Sequence, residues 1–413
     1  MLIGLATTAL VLLSAVRPAC AGPTRPPVPD FWWPIYHLWS VPFDAVPIGP
    51  AAFDSTTAYV GLRDGRVVAV SLLTGAVRWG ARIGVTAPPA ALEGLLIAIQ
   101  GDTVLGLDGA TGKLRWRQEL GAPGLVAPSA GTKWIAVATA KPELIVLNPD
   151  GGAILWRQAL VAPVRALPVG DADRIVIGLT NGEVVAFSAT TGARQWTQKV
   201  GSTPLSLTLH KDRVFVGTSE GFLCVLATEG GRQKWRWRTG GDIGGTVAVD
   251  DKRVYFASLD NSLVALGRGG GDLKWEQRLP SRSIGGPVLI GNTLILTTIA
   301  NELKTFNFER GTLLETVALP GRPLNPPHLA PWKGPVPPRA YLLTGGGLLF
   351  AMGPMVEPPD TKLDPMPGNL LLPPETLESF EPPLVPMVYP PGRLLMPESL
   401  PVTVIKKRPT ARP

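Results

Sequence analysis

Tryptophan recurs along this chain at a nearly constant interval. Trp39, Trp79, Trp116, Trp156, Trp196, Trp235 and Trp275 lie 40, 37, 40, 40, 39 and 40 residues apart, and the next equivalent position, forty further on, is Glu315. A period near forty residues is too short for independent domains. It marks a propeller or solenoid, in which each unit buries its apolar surface only against its neighbours. Each Trp closes a phrase: AVSLLTGAVRW (69–79), GLDGATGKLRW (106–116), VLNPDGGAILW (146–156), AFSATTGARQW (186–196), VLATEGGRQKW (225–235) and ALGRGGGDLKW (265–275). The phrase TFNFERGTLLE (305–315) keeps the glycine and lacks the Trp. Gly75, Gly112, Gly152, Gly192, Gly231, Gly271 and Gly311 all stand four residues before the Trp-type position, where a turn that needs positive φ accounts for them.

Ahead of each phrase lies a strand–turn–strand pattern. Ala58 to Gly61 leads through Asp64-Gly65 into Val67 to Val70, Ile175 to Gly178 through Asn181-Gly182 into Val184 to Phe187, and Val214 to Gly217 through Glu220-Gly221 into Phe222 to Leu226. Asp-Gly and Asn-Gly between short apolar runs are hairpin signals. Further copies lie around Ala98, Ala136, Ala257, Leu296 and Leu342, which makes eight hairpins. Trp39 precedes the first hairpin and no Trp phrase follows the eighth, so residues 35–41 can supply the missing outer strand of the last unit. A ring closed by its own two ends leaves only short protected edges, whereas a solenoid has no reason for this offset. The fold expected is all-β: an eight-bladed β-propeller of four-stranded antiparallel blades over residues 35–352, closed by the N-terminal strand. The 47 glycines and 44 prolines agree with a chain of many turns and few helices.

The consensus A-x-D-x-x-T-G-x-x-x-W with apolar hairpins resembles the PQQ-like (quinoprotein) repeat. GLDGATGKLRW matches it best, and no Trp-Asp dipeptide recurs as it does in WD40 repeats. Within that group the chain is similar to the BamB family of the outer-membrane β-barrel assembly machinery. This resemblance implies an exported, non-catalytic scaffold without a cofactor, docking an envelope protein such as a barrel-assembly protein. Two alternatives stand beside it: a PQQ-dependent dehydrogenase-like enzyme, and a small-ligand sensor using the central channel. Quinone dehydrogenases carry insertions around the cofactor and many have adjacent cysteines there. The repeats here span 37 to 40 residues, and Cys20 and Cys224 are far apart.

Outside the ring, residues 2–16 form an apolar, uncharged stretch of signal-peptide length, followed by the small-x-small site Ala19-Cys20-Ala21. Residues 1–21 therefore read as a signal peptide and 22–34 as a linker. Localisation to the periplasm or cell envelope follows, with outer-membrane anchoring and membrane association if Cys20 is lipidated. Residues 353–413 contain 16 prolines and read as an extended or disordered tail. A net charge of +7 over 413 residues, without a long basic run inside the repeats, does not point to nucleic acid.

No constellation of catalytic, metal-binding or cofactor-binding residues emerges. His37, His210 and His328 fall at unrelated phases of the repeat and read as surface or rim residues. Asp64, Asp102, Asp108, Asp150, Asp260 and Asp272 sit at turns, where Asp satisfies backbone donors. The glycine-rich run 267–271 lacks the Lys-Ser/Thr of a P-loop. The Trp residues, required once per unit, read as packing elements between blades. One stretch stands out: Arg232-Gln233-Lys234-Trp235-Arg236-Trp237-Arg238. On a strand, Arg232, Lys234, Arg236 and Arg238 share one face and the two Trp share the other. Edge protection explains such a strip, and so does a binding surface for an acidic partner, a lipid head group or an envelope polymer.

Overall fold

Runs of five or six mostly apolar residues fold back on each other through tight turns. In the first unit, Thr57–Gly61 and Arg66–Ser71 pair through a turn in which Gly65 takes φ +85° and the Asp64 carboxylate accepts the Arg66 N–H at 3.1 Å. Both strands are almost wholly buried, because each of their faces packs on another blade. Two-sided burial explains why they read as continuous apolar runs while the outer strands, such as Arg194–Lys199, mix exposed and buried positions. The computed structural model describes residues 35–329 and 339–354.

Among the described residues there are eight four-stranded antiparallel sheets and no helix. Blades one to seven occupy residues 52–82, 90–119, 129–159, 164–199, 204–238, 248–278 and 288–318, each running from innermost to outermost strand. Blade eight takes His328–Leu329, Ala340–Leu343 and Leu348–Gly353 from the far end of the repeats, and its outer strand is Tyr36–Pro42. Trp39 pairs with Ala351 and Val41 with Leu349, with a register shift between His37 and Trp39. The molecule is an eight-bladed β-propeller closed by its N-terminal strand, as the offset between hairpins and Trp phrases requires. Residues 1–34, which include Cys20 and the expected signal peptide, and residues 355–413 of the proline-rich stretch lie outside the described residues.

The core lies in the seams between blades. One cluster joins Val176, Val184, Ala186 and Trp196 of blade four to Val214, Val216, Cys224 and Leu226 of blade five, all less than a tenth exposed. A blade removed from the ring would expose both faces, so stability belongs to the closed array.

The two repeat signals meet across each seam. Trp39, Trp79, Trp116, Trp156, Trp196, Trp235 and Trp275 lie respectively against Gly75, Gly112, Gly152, Gly192, Gly231, Gly271 and Gly311 of the following blade. At Gly192, φ is +70° and a Cβ would fall 2.6 Å from Trp156 Cδ2, so the position excludes a side chain on two counts. The indole N–H of Trp156 donates to the Ala189 carbonyl at 2.9 Å, three residues before that glycine. Trp116 and Trp196 make the same bond to Pro149 and Thr228, each at 2.8 Å. The exception at Glu315 now has a cause. Blade seven faces blade eight, whose outer strand comes from the other end of the chain, so no glycine turn joins its last two strands. A Trp at position 315 would have no dock. At the closing seam Trp39 still packs on Gly75, but the Leu72 carbonyl is taken by the Tyr341 hydroxyl at 3.0 Å, and Trp39 Nε1 has no acceptor among the described residues.

His328, read from sequence as a surface or rim residue, sits instead on the inner strand of blade eight. Its ring stacks on Phe53 of blade one, with centroids 4.0 Å apart and planes 2° apart, and lies 6.4 Å from the Tyr341 ring. Strand register places it there, and a single isolated His carries no sequence signal of such packing. Burial pushes its pKa down from 6.5 to about 4. The unfolded chain takes up this proton below about pH 6.5, whereas the folded protein resists it until about pH 4. The stability it contributes is therefore complete above pH 6.5 and is lost as pH falls toward 4, by about 2 kcal/mol at pH 5. Urea unfolding at pH 7.5 and pH 5 should show this loss in the wild type and a smaller one in His328→Phe. Burial also lowers His37 and His210, and both remain in the variant. Equal pH dependence of the two proteins would remove His328 as the source.

Candidate partner-binding surface

The basic strip lies on the outer strand of blade five, Gln233–Arg238. A register shift between Val225 and Leu226 of the neighbouring strand leaves Lys234 as the extra residue of a bulge. Lys234, Arg236 and Arg238 are exposed and alternate with half-buried Trp235 and Trp237. Arg232 is exposed too, but it stands in the turn before the strand, where its carbonyl accepts the Ala227 N–H at 2.9 Å. The structure thus keeps three of the four cations on the strand and places the fourth beside it. Period-two counting put Arg232 in line because it could not see the bulge.

Trp235 and Trp237 pack toward blade six, with Phe215, Leu223, Val225, Val254 and Phe256. The opposite face looks toward blade four. There Phe222, half-buried, lies beneath two guanidinium groups, with Arg236 Cζ 5.2 Å and Arg238 Cζ 5.1 Å from its ring centroid. Phe222 is directly opposite Arg238 in the ladder, which is why the ring and the cation meet. Sequence reasoning missed Phe222, because only cross-strand register reveals it. Cys224 lies opposite Arg236 and is wholly buried, and burial pushes its thiol up to about 11. A thiol that is protonated and enclosed is inert packing.

Among the described residues this edge carries the most unmatched charge of any outer strand: three exposed strand cations, against two on blade one (Arg78 and Arg82) and two on blade four (Arg194 and Lys199), while the other outer-strand cations are paired. On the outer strand of blade two Arg115 meets Asp108 at 2.5 Å and Arg117 meets Glu119 at 3.8 Å. In blade three Arg157 lies 3.5 Å from Glu143, and in blade six Lys274 and Arg278 lie 2.6 and 3.6 Å from Asp272 and Glu276. Among the described residues, Arg232, Lys234, Arg236 and Arg238 have no carboxylate within 4.0 Å. Arg232 and Lys234 also border an open cleft of about 530 Å³ at the seam with blade four, shared with Asp171, Asp212 and Glu229. Charge there is mixed, whereas at Arg236 and Arg238 it is unopposed.

The remaining sequence candidates resolve into structure. Asp108 accepts the Thr111 N–H at 2.9 Å, and hydrogen bonding from Arg115, with help from Thr111, holds its pKa down to about 2. Asp260 accepts the N–H groups of Gly240 and Ser262. At the turn containing Asp150 the acceptor is Asn148, which takes the Asp150 N–H at 2.9 Å. The glycine-rich run 267–271 is the turn that docks Trp235. His37, His210 and His328 lie on three separate strands.

A quinone with a calcium ion, the group that PQQ-like repeats bring to mind, does not fit this donor set. Among the described residues no group of three or more His, Cys, Asp or Glu could hold a metal ion. The six indoles of Trp79, Trp116, Trp156, Trp196, Trp235 and Trp275 donate across seams, so their N–H groups and one edge or face of each ring are already engaged. An open cleft of about 740 Å³, bordered by Gln158, Val161, Glu183 and Arg194, lies between the outer strands of blades three and four rather than on the ring axis.

Comparison with known proteins agrees with this architecture. Among curated proteins nothing matches the chain. Among solved structures, BamB from Moraxella catarrhalis superposes with a TM-score of 0.65 at 20% identity, covering 77% of this chain and 97% of that one. The computationally designed Ika8 protein gives 0.66 at 15% identity, over 76% and 99% of the two chains. Quinohemoprotein alcohol dehydrogenase from Comamonas testosteroni gives 0.60 at 13% identity, over 77% and 76%. At these identities the likeness is one of fold, shared by a natural assembly factor, a design and an enzyme. The sequence itself goes further. A family model described as outer membrane protein assembly factor BamB matches residues 63–130, 100–241 and 226–325, more than half of the chain, and the protein belongs to that PQQ-like repeat family.

Proposed function

We propose that this protein is a non-catalytic scaffold of the cell envelope that holds an acidic segment of a protein partner during outer-membrane protein assembly, the role named in its family's description. The apolar stretch 2–16 with the small-x-small site Ala19-Cys20-Ala21 supports export, and lipidation of Cys20 would add an anchor. The observation that carries the reading is the unmatched pair Arg236 and Arg238 above Phe222 on an exposed blade edge. Like charges side by side repel. An acidic partner relieves that repulsion and adds charge-assisted hydrogen bonds, which Arg makes in a planar fork.

The test is capture of partners from envelope extract with wild type and the double variant Arg236→Glu/Arg238→Glu. Both side chains are exposed, so the variant should keep its fold, its melting temperature lowered by only about a few degrees through the lost contacts with Phe222. It should lose at least about tenfold in recovery of the principal partner, and wild-type capture should fall with rising salt as exposed charges are screened. Equal recovery of every partner by both proteins would reduce the strip to edge protection.

A further inference from the structure

The outer strand of blade five offers more than charge. It is the last strand of its sheet, so the backbone groups on its outer side have no partner within the ring. The Thr239 N–H donates to the Gly221 carbonyl at 2.8 Å, while Phe222 pairs with Arg238 and Cys224 with Arg236. Hydrogen-bonded and non-hydrogen-bonded pairs alternate along an antiparallel ladder. Trp235 and Trp237 therefore bond inward to Val225 and Leu223, and the main-chain N–H and C=O of Arg236 and Arg238 point away from the blade. The same two residues carry both the free backbone groups and the unmatched cations.

We infer that the partner binds here as a fifth antiparallel strand, and that the recognised segment is extended, with acidic residues at every second position and apolar residues between them. The inference rests on the strip being the binding surface. Added strands take their hydrogen bonds from the free edge and their specificity from alternate side chains. Residues of the incoming strand opposite Arg236 and Arg238 share the cationic face and meet guanidinium groups directly across the ladder. The residue between them shares the other face, where Trp237 is half-exposed and continuous with the apolar packing of Trp235. Acid–apolar–acid alternation satisfies both faces at once, and a simple acidic cluster satisfies only one. The outer strands of blades two, three and six have the same free edge, but their carboxylates already occupy nearby cations. Those of blades one and four also carry unpaired cations, but Arg78 and Arg82 stand four residues apart and Arg194 and Lys199 five, so neither pair sits at consecutive alternate positions as Arg236 and Arg238 do.

The experiment measures binding of short fluorescent peptides to the full-length protein by anisotropy. One peptide alternates Glu with Val. A second has the same composition with all Glu at one end. A third is the alternating peptide N-methylated at the amides that would face the blade. The alternating peptide should bind at least about tenfold tighter than either control. Arg236→Glu/Arg238→Glu should abolish its binding. Equal affinity of all three peptides, still lost in the double variant, would overturn strand addition and leave the charged surface standing. Binding of no peptide, or binding indifferent to the double variant, would overturn the inference, and envelope capture then decides the fate of the surface separately. Tighter binding to phosphatidylglycerol vesicles than to any peptide would overturn it in favour of a lipid surface.

Discussion

Deletion of residues 36–42 should abolish the cooperative unfolding transition of the entire ring rather than fray one blade. That segment supplies the outer strand of blade eight, with six cross-strand pairs to Leu348–Gly353. It also carries Trp39, whose ring covers Gly75 of blade one and lies 5.8 Å from Tyr341. Truncating a Trp in such a setting costs about 3–5 kcal/mol. Net stabilities of folded proteins are only about 5–15 kcal/mol, so loss of the ladder and the dock together should exceed what the ring can spare. Differential scanning calorimetry of the deletion variant should show no single sharp endotherm. A synthetic peptide of residues 35–43, added in trans, should restore it in a concentration-dependent way, because a peptide that binds only the closed ring draws the chain toward it by mass action. A sharp transition in the deletion variant near the wild-type temperature would mean that the N-terminal strand decorates the ring rather than closing it.

The second large effect concerns the glycine that receives the indole. Gly192 and Gly94 have almost the same backbone conformation, φ +70° and +71°, but a Cβ at Gly94 would meet nothing within 4 Å, whereas at Gly192 it would strike Trp156. Gly94→Ala should therefore cost only the left-handed conformation, about 1 kcal/mol. Gly192→Ala should cost about 3–4 kcal/mol, because the indole is pushed off its seat and its bond to Ala189 is strained. Replacing the indole first removes the difference: in a Trp156→Ala background, Gly192→Ala should fall back to about 1 kcal/mol. Urea unfolding of the single and double variants gives a coupling energy of about 2–3 kcal/mol between residues in successive blades. Additive costs would show that the glycine answers to its turn alone.

The amino-acid sequence by itself determined the repeat, the number of blades and the manner of closure. Each follows from local chemistry counted along the chain: apolar runs of strand length, Asp-Gly and Asn-Gly turns, one glycine and one Trp per unit, and an offset between eight hairpins and the first Trp. Tertiary structure alone decided what these signals are for. Gly192 looked sufficient as a turn residue, and only the neighbouring blade shows that its missing side chain is the seat of Trp156. Glu315 was an unexplained break in the series until blade eight proved to have no turn for a Trp to cover. His328 carried no signal of its stacking on Phe53, because the two are brought together by ring closure across nearly the whole length of the repeats. The basic strip was legible as alternation, yet the bulge at Lys234, the Phe222 ring between two guanidinium groups and the absence of nearby carboxylates were not. Strand periodicity is local and survives in one dimension. Register, seam packing and the pairing of charges depend on which strands lie side by side, and that is settled only when the ring closes.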